Sequence, residues 1–198
     1  MEMPRRMPLG TQDFELLRTN EDLYVDKTRY IEKLFLLGRV FFLSRPHRFG
    51  KSLFLSTLKA YFEGKKELFD GLYIAKVEEE LARKQKREPW EAHPVLYFDL
   101  NAEYYTSLEV LEKALAAEIV RWETRYGLDN KDLTVPNRFR AIIRKAYEQT
   151  EKRVVILVDE YDKPLIATLE NEELHEQYRA TLKAFYSVIK SLNGCIHL

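Results

Sequence analysis

The sequence has almost no cysteine and no long apolar run. Cys195 is the only cysteine among 198 residues, which excludes an internal disulfide and fits a reducing compartment. No apolar stretch approaches the ~20 residues that a membrane-spanning helix needs. No apolar run follows the basic start at Met1–Arg6, as it would in a secretory signal. These absences predict a cytoplasmic protein without a membrane segment.

The chain also has no net charge, since 32 Lys and Arg balance 32 Asp and Glu. No overall electrostatic field therefore draws it to nucleic acid, and any site for a polyanion must be local. The segment Val77–Arg87 is highly charged and includes the basic run Arg83–Arg87. We interpret this segment as a solvated connector rather than a nucleic-acid contact.

Three short apolar runs are typical of buried strands, namely Val40–Leu43, Val95–Leu100 and Val154–Val158. Helical spacing and capping residues predict helices over about Lys27–Leu37 with Asp26 as the cap, from Lys51 until Gly64, along Leu108, Leu111, Leu115, Ile119 and Trp122, and over about Asn137–Gln149. Strands thus alternate with helices along the chain.

This alternation, with strands that are apolar throughout, predicts an α/β fold. The sheet is expected to be open, mostly parallel and covered by helices on both faces, which is a three-layer α/β/α architecture. We expect residues 1–38 to form a lead-in with a helix, and residues 39–198 to form the core of the same domain.

The loop after the first predicted strand contains half of a phosphate-binding motif. In G-x-x-x-x-G-K-[ST], glycine allows close backbone approach, lysine reaches the β- and γ-phosphates, and the hydroxyl residue serves Mg²⁺. Gly50, Lys51 and Ser52 supply the second half, but Arg45 stands where the first glycine belongs. The strand–loop–helix context favours phosphate binding over a chance match. The predicted nucleotide-binding residues are Arg45, Arg48, Phe49, Gly50, Lys51, Ser52 and Leu53.

An acidic pair follows the third predicted strand. In P-loop ATPases a carboxylate at the tip of a neighbouring strand holds the Mg²⁺ shell, and an adjacent acid orients the attacking water. We predict Asp159, with Ser52, as the metal ligands, and Glu160, with Lys51, as the catalytic residues. Acids often follow strands simply where a chain leaves the core, so the pair is specific only in combination with the Lys51 loop.

Two arginines of the loop have a less defined role. Arg45 or Arg48 would add cationic stabilisation to the charge that develops during phosphoryl transfer. Pairing with surface acids, or shaping the loop, explains them equally well.

At these residues the sequence resembles the AAA-ATPase-like family of bacterial and archaeal P-loop proteins, often encoded with a C-terminal PD-(D/E)XK nuclease-like domain. The resemblance covers residues 8 to about 190. It also implies that Arg45 is accommodated, because the family resembled here looks tolerant of a missing first glycine. The motifs that carry it are Pro8-Leu9-Gly10 with Asp13-Phe14, Tyr24-Val25-Asp26-Lys27-Thr28, Arg45-Pro46-His47-Arg48-Phe49-Gly50-Lys51-Ser52-Leu53, Tyr61-Phe62-Glu63-Gly64 and Val158-Asp159-Glu160-Tyr161-Asp162-Lys163-Pro164-Leu165.

The resemblance also implies that the P-loop fold is incomplete at the C-terminus. After the helix ending near Ile189 the family continues into another strand with a polar sensor residue, whereas this chain reads Ser191–Leu198. In the additional-strand class of P-loop ATPases that strand lies between the P-loop strand and the acid-tipped strand. Exposed sheet edges promote association. We therefore expect a truncated, poorly stable chain that self-associates or needs a partner or a C-terminal segment.

The implied function is Mg-ATP binding and ATP hydrolysis, with ATP and Mg²⁺ as cofactors. The alternative is a nucleotide-binding-only or inactive truncated remnant that acts through a partner. Nuclease activity is rejected for this chain, because Tyr161-Asp162-Lys163 stands where a Glu- or Asp-x-Lys element would be required.

Overall fold

The computed structural model describes residues 6–44, 49–101 and 104–197, with only the backbone at 36 and 37. The chain divides into two compact units, the first ending at Val95 and the second covering Leu96–His197. Each unit is described by itself. The predicted division at residue 38 remains a prediction.

The described part of the first unit is helical. It consists of α1 (Phe14–Thr19), α2 (Arg29–Leu37), α3 (Lys51–Phe62), a 3₁₀ turn (Lys66–Phe69) and α4 (Tyr73–Gln85). The helices expected near Lys27–Leu37 and from Lys51 are confirmed as α2 and α3. Their apolar spacing places Ile31 and Phe54 in the core.

The first predicted strand is not formed. Residues 40–44 belong to no strand, and Val40 and Phe42 are 86% and 67% exposed. An apolar run becomes a buried strand only when a neighbouring strand completes its hydrogen-bond ladder. Within the described residues no strand pairs with this segment, so the prediction of a buried strand over Val40–Leu43 is wrong. The sequence analysis supported the phosphate-binding motif by a strand, a loop and a helix in succession. Of these three elements, the strand is absent from the described residues.

The charged segment read as a solvated connector is largely helix α4. Ile74, Leu81 and Ala82 recur at helical spacing and are buried, while Lys84 and Glu80 form an exposed pair one turn apart. The interpretation as a connector is therefore wrong. Its composition concealed an amphipathic helix because the apolar residues are few.

Two of the charges in this segment are inside the protein. Glu78 is fully buried and accepts hydrogen bonds from the Tyr61 hydroxyl at 2.6 Å and the Trp90 amide at 2.9 Å. Arg87 pairs with the same carboxylate at 2.6 Å and also donates to the Tyr61 hydroxyl at 2.9 Å. Every acceptor oxygen of Glu78 is used, which is the condition for tolerating a buried charge. The cluster ties α3 to α4.

The second unit has a small parallel sheet with helices. Strands β1 (Val95–Asp99) and β2 (Val155–Asp159) pair in the order β1-β2. The helices are α5 (Leu108–Tyr126), α6 (Val135–Thr150), α7 (Lys163–Ile166) and α8 (Glu172–Ser191). The mixed α/β class and the later strands are confirmed. The three-layer P-loop architecture remains a prediction.

The core of the second unit is aromatic and aliphatic. The rings of Phe139 and Phe185 stack at 4.5 Å, and Phe98 of β1 meets Phe139 edge to face at 5.3 Å. Packing of this kind fixes α6 and α8 against β1. None of the described helices is both long and apolar enough to span a lipid bilayer.

A second parallel pairing begins beside β2. The Val154 amide donates to the Cys195 carbonyl at 2.8 Å, and the His197 amide donates to the Val154 carbonyl at 2.8 Å. On the side of β1, the backbone carbonyl of Asp159 accepts a hydrogen bond from the Leu100 amide. Val154 and Asp159 are five residues apart, so their backbone groups point to opposite sides of the strand. Ile196 therefore pairs with the edge of β2 that faces away from β1. We expected that Ser191–Leu198 would leave the edge of the acid-tipped strand without a neighbour. This expectation is wrong at Val154, which pairs with Ile196.

Candidate functional site

Gly50, Lys51 and Ser52 form the N-terminal end of α3. Gly50 is the N-cap, and its φ of 73° and ψ of 35° lie in the left-handed region that glycine adopts without steric cost. Its carbonyl accepts from the Phe54 amide at 3.1 Å. Because glycine has no side chain, no oxygen of the cap residue occupies the first amide groups of the helix. A phosphate is bound by such amide groups in a P-loop.

The packed face of α3 fixes where this end lies in the first unit. Phe54, Leu58 and Tyr61 are buried, and Ser56 accepts a hydrogen bond from the Phe14 amide at 2.9 Å. Lys51 is half-buried on the same helix. The remaining predicted binding residues are Ser52 and Leu53, which are half-buried, Phe49, which is exposed, and Arg45 and Arg48, which lie outside the described residues.

Lys27 lies next to the same helix end and was not predicted as a site residue. A β-carbon built on Gly50 would lie 3.6 Å from the Nζ atom of Lys27. Lys27 belongs to a motif of the family resemblance, but nothing in its sequence neighbourhood indicates a position beside Gly50. The approach is visible only in three dimensions.

Asp26 and Thr28, which flank Lys27, accept hydrogen bonds from the start of α4. Asp26 was predicted to cap the helix that follows it instead. Asp26 Oδ2 accepts from the Tyr73 amide at 2.7 Å, and Thr28 Oγ1 accepts from the Ile74 amide at 3.1 Å. Tyr73 and Ile74 are the first two residues of α4. Asp26 is therefore not the cap of the helix over Lys27–Leu37, which begins at Arg29. The carboxylate satisfies α4 instead, because the chain brings that helix end within its reach.

The carboxylate of Asp26 is well supported in its charged form. Its Oδ1 atom accepts from the Thr28 amide at 2.8 Å and from the Thr28 hydroxyl at 2.7 Å. Burial acts to raise the pKa of Asp26, but the hydrogen bonds from Thr28 and Tyr73 outweigh it and hold the pKa below its ordinary value. Asp26 is thus a charged anchor for α4.

Asp159 ends β2 in the second unit and is 5% exposed. Its Oδ2 atom accepts from the Tyr97 hydroxyl of β1 at 3.2 Å, and its Oδ1 atom accepts from the Glu160 amide at 3.0 Å. A carboxylate has about four lone-pair positions, so each oxygen retains capacity for a further ligand. Tyr97 was not predicted as a site residue, although a hydroxyl within an otherwise apolar strand is a usable signal.

Glu160 has an unusual backbone. Its φ is 50°, in the left-handed region that side chains other than glycine rarely adopt. Lys86 and Glu151 share this region, but both are helix C-caps, where it is common. Glu160 lies between β2 and α7, and its carbonyl accepts from the Lys163 amide at 3.0 Å. Such positions cluster at functional sites.

Lys163 has a structural partner. Its ammonium group donates to the backbone carbonyl of Asn101, and to the Asn101 side-chain oxygen at 2.9 Å. The residues that follow β1 and β2 are therefore linked. This contact gives Lys163 a structural role.

The structure brings the predicted residues together in two groups. Gly50, Lys51 and Ser52 lie at the N-terminus of α3 in the first unit, and Asp159 and Glu160 lie at the end of β2 in the second. The predicted sharing of Mg²⁺ by Ser52 and Asp159 stays a prediction.

Comparison with known proteins identifies the relatives of this chain. An uncharacterized protein in the vnfD 5′ region of Azotobacter chroococcum mcd 1 is 37% identical over 188 residues, which cover 94% of this chain and 34% of that protein. The chain thus spans about a third of that relative's length. No solved structure matches it. A family model described as predicted AAA-ATPase matches residues 8–198, which extends past residue 190, where the resemblance was expected to end. The chain therefore belongs to the AAA-ATPase-like family.

Proposed function

We propose that this chain binds Mg-ATP and hydrolyses it to ADP and phosphate. The observation that carries the proposal is the position of Gly50-Lys51-Ser52 at the start of α3, with Gly50 in the left-handed region. Membership of a family of predicted AAA-ATPases supports nucleotide binding. The whole relative is about three times longer, so its activity as a complete protein is a separate question.

The phosphates would be bound by backbone and by charge. The amide groups at the start of α3 would donate to phosphate oxygens, and the helix dipole favours negative charge there. The Lys51 ammonium would neutralise the β- and γ-phosphates. Phe49 and Leu53 would contribute through their backbones, since their side chains carry no polar group. Arg45 and Arg48 are proposed to supply further positive charge, or to shape the loop and pair with surface acids.

The metal site is proposed from the chemistry of its donors. Ser52 offers a hydroxyl and Asp159 a carboxylate, and Mg²⁺ prefers hard oxygen ligands of these kinds. The two hydrogen bonds to Asp159 leave capacity for such a ligand. When bound there, Mg²⁺ would neutralise charge on the β- and γ-phosphate oxygens.

Glu160 is proposed to orient the water. Its carboxylate accepts a proton of the water while the water oxygen bonds to the γ-phosphorus, and the bond from that phosphorus to the β–γ bridging oxygen breaks. ADP leaves with the bridging oxygen. The left-handed backbone of Glu160 supports this role, because strain is retained where a side-chain position matters.

Nucleotide binding without turnover is the second candidate. It is favoured by the absence of a strand over residues 40–44 in the described structure. A phosphate loop that does not follow a paired strand is less firmly held for catalysis. In that case the chain would act as a binding module through a partner or a second copy.

Calorimetry with Mg-ATP tests the proposal on the 198-residue protein. Wild type should bind, and Lys51→Ala should lose about ten- to a hundredfold in affinity, as expected for a charged hydrogen-bonding group. Lys76→Ala, an exposed lysine of α4, is the control for loss of one charge. Phosphate release on the same samples separates hydrolysis from binding alone. A folded wild type that binds no ATP would refute both candidates.

A further inference from the structure

The side chain of Arg121 lies against the outer edge of β1. Its Nη2 atom donates a hydrogen bond to the backbone carbonyl of Tyr97 at 2.8 Å. The Leu100 amide points toward β2, where it donates to the Asp159 carbonyl. Backbone groups three residues apart point to opposite sides of a strand, so the Tyr97 carbonyl points away from β2. Arg121 therefore bonds to the side of the sheet that β2 does not cover.

Strand β1 is at the edge of the sheet. Within the described residues the strand order is β1-β2, and the second pairing, at Ile196, lies on the far side of β2. An edge strand presents backbone groups on which another chain can build a ladder. Val95, Tyr97 and Phe98 of this strand are of types enriched in strands. An extended chain would therefore pair readily with this edge if no side chain covered it.

Two further contacts hold the guanidinium of Arg121 in place. It forms an ion pair with Glu118, three residues earlier on α5, at 2.5 Å. It also lies over the ring of the buried Trp122, 4.8 Å from the ring centroid. The Arg121 side chain is 55% exposed, and ordering an exposed arginine costs rotamer entropy. The contacts with Glu118, Trp122 and Tyr97 offset that cost and direct the charge onto the strand.

We propose that Arg121 blocks the outer edge of β1 and so prevents a second copy of the chain from adding a strand there. Charged side chains on edge strands are a common protection against such pairing. Here the charge also occupies a backbone acceptor that an incoming strand would use. A second copy is the relevant partner because it carries the same edge, and one edge can pair with itself about a twofold axis. This role is separate from the proposed nucleotide binding.

Two arginines of α5 make a matched test. Arg121→Ala removes the hydrogen bond to Tyr97. Arg125→Ala is the control, since Arg125 is also exposed and lies over the Trp122 ring at 5.5 Å, but none of its contacts in the described structure is with β1. Thermal melts check that both variants are folded. Sedimentation velocity over a range of protein concentrations measures self-association.

We expect Arg121→Ala to lower the dissociation constant of the dimer at least about tenfold from the wild-type value. An incoming strand no longer has to displace a hydrogen bond from a charged donor, which is worth about that factor. Arg125→Ala should stay within about threefold of wild type, a difference smaller than one such bond.

Two measurements locate the contact. Hydrogen exchange in the peptide that contains β1 should slow as the concentration of Arg121→Ala rises, and should not depend on concentration in wild type. Asp99 is two residues after Tyr97, so its backbone also points away from β2. A proline at position 99 has no amide to donate to an incoming strand. Arg121→Ala combined with Asp99→Pro should therefore return to the wild-type level of association.

Three results would overturn the inference. Equal association of Arg121→Ala and wild type would show that the bond to Tyr97 has no protective effect. Equal association of the two arginine variants would attribute the effect to lost charge or to exposure of Trp122. Association of Arg121→Ala without slower exchange in β1 would place the contact elsewhere. None of these results bears on the proposed binding of Mg-ATP.

Discussion

The hydroxyl group of Tyr97 in β1 donates a hydrogen bond to Oδ2 of Asp159 in β2 across 3.2 Å. The bond restrains the carboxylate that we propose for the Mg²⁺ shell. The Glu160 amide donates a hydrogen bond to Oδ1 of Asp159, so the carboxylate is oriented by one hydrogen bond to each oxygen. A change at Tyr97 should therefore alter the metal dependence of the reaction more than the affinity for nucleotide.

We expect Tyr97→Phe to raise the Mg²⁺ concentration for half-maximal phosphate release about three- to tenfold, as loss of one hydrogen bond of about 1 kcal/mol implies. The ring and its packing are retained. Mg²⁺ titrations at saturating ATP measure the effect. Tyr104→Phe, at an exposed tyrosine of the same unit, is the matched control. Identical titrations for Tyr97→Phe and wild type would show that the bond does not position Asp159.

Glu160 should be needed for chemistry and dispensable for folding. Glu160→Gln is expected to lower phosphate release by about 10²-fold or more, the lower end of general acid–base contributions, while Mg-ATP still binds. Glu160→Gly should lose hydrolysis equally. Its free energy of unfolding should remain within about 1 kcal/mol of wild type, because glycine relieves the left-handed backbone at φ 50° but increases the entropy of the unfolded chain.

Phosphate release and denaturant unfolding on the same preparations measure both effects. Full hydrolysis by Glu160→Gln would remove Glu160 from the mechanism. Strong destabilisation of Glu160→Gly would instead assign the residue a structural role.

Because the charged carboxylate of Asp26 binds the start of α4, we expect the free energy of unfolding to depend on pH in acidic solution. Its pKa is lowered in the folded protein, so the unfolded chain binds a proton more readily. The stabilisation is fully present above the unfolded value of about 3.9 and is lost as pH falls through the lower folded pKa. Asp26→Asn should flatten this part of the stability profile, and Asp26→Ala should cost about 1–2 kcal/mol at neutral pH, as loss of a helix cap does.

Urea unfolding between pH 2.5 and 7 measures the dependence on Asp26. Asp132→Asn, at an exposed aspartate in a turn of the second unit, serves as the control. Parallel pH profiles for Asp26→Asn and wild type would contradict a role for the charged carboxylate in holding α4.

Breaking the buried pair between Glu78 and Arg87 should be costly. Arg87→Met would leave the fully buried Glu78 carboxylate without its cation, and a loss of about 3–5 kcal/mol is expected. The double change Glu78→Gln with Arg87→Met removes both charges. Its glutamine oxygen still accepts from Tyr61 or Trp90. We expect the double variant to be more stable than Arg87→Met, as measured by urea unfolding, and additive losses would refute this explanation.

The pattern of apolar residues in the sequence correctly predicted helix α3 and strand β2. Helix α3 and strand β2 follow from helical spacing after Gly50 and from the unbroken apolar run ending at Asp159. Val40–Leu43 has the same apolar character but forms no strand, because a strand also requires a partner elsewhere in the chain. Composition alone does not reveal whether that partner is present.

The missed residues act through contacts between distant segments. Lys27 meets Gly50, and Tyr97 meets Asp159, only after the chain has folded. The charge of Glu78 was read as a sign of solvent exposure because the tertiary partner that allows its burial, Arg87, is recognisable only from the structure. The phosphate and metal ligands named from the sequence therefore stay predictions, and the sequence did not indicate the positions of Lys27 and Tyr97 beside them.

The connection from Asp26 and Thr28 to the first amide groups of α4 has a mechanical consequence. Lys27 lies between these two anchors and reaches Gly50. Because these hydrogen bonds join the residues on both sides of Lys27 to α4, a displacement of the start of α4 would also displace the backbone of Lys27. The position of Lys27 beside Gly50 therefore depends on the hydrogen bonds that the start of α4 makes.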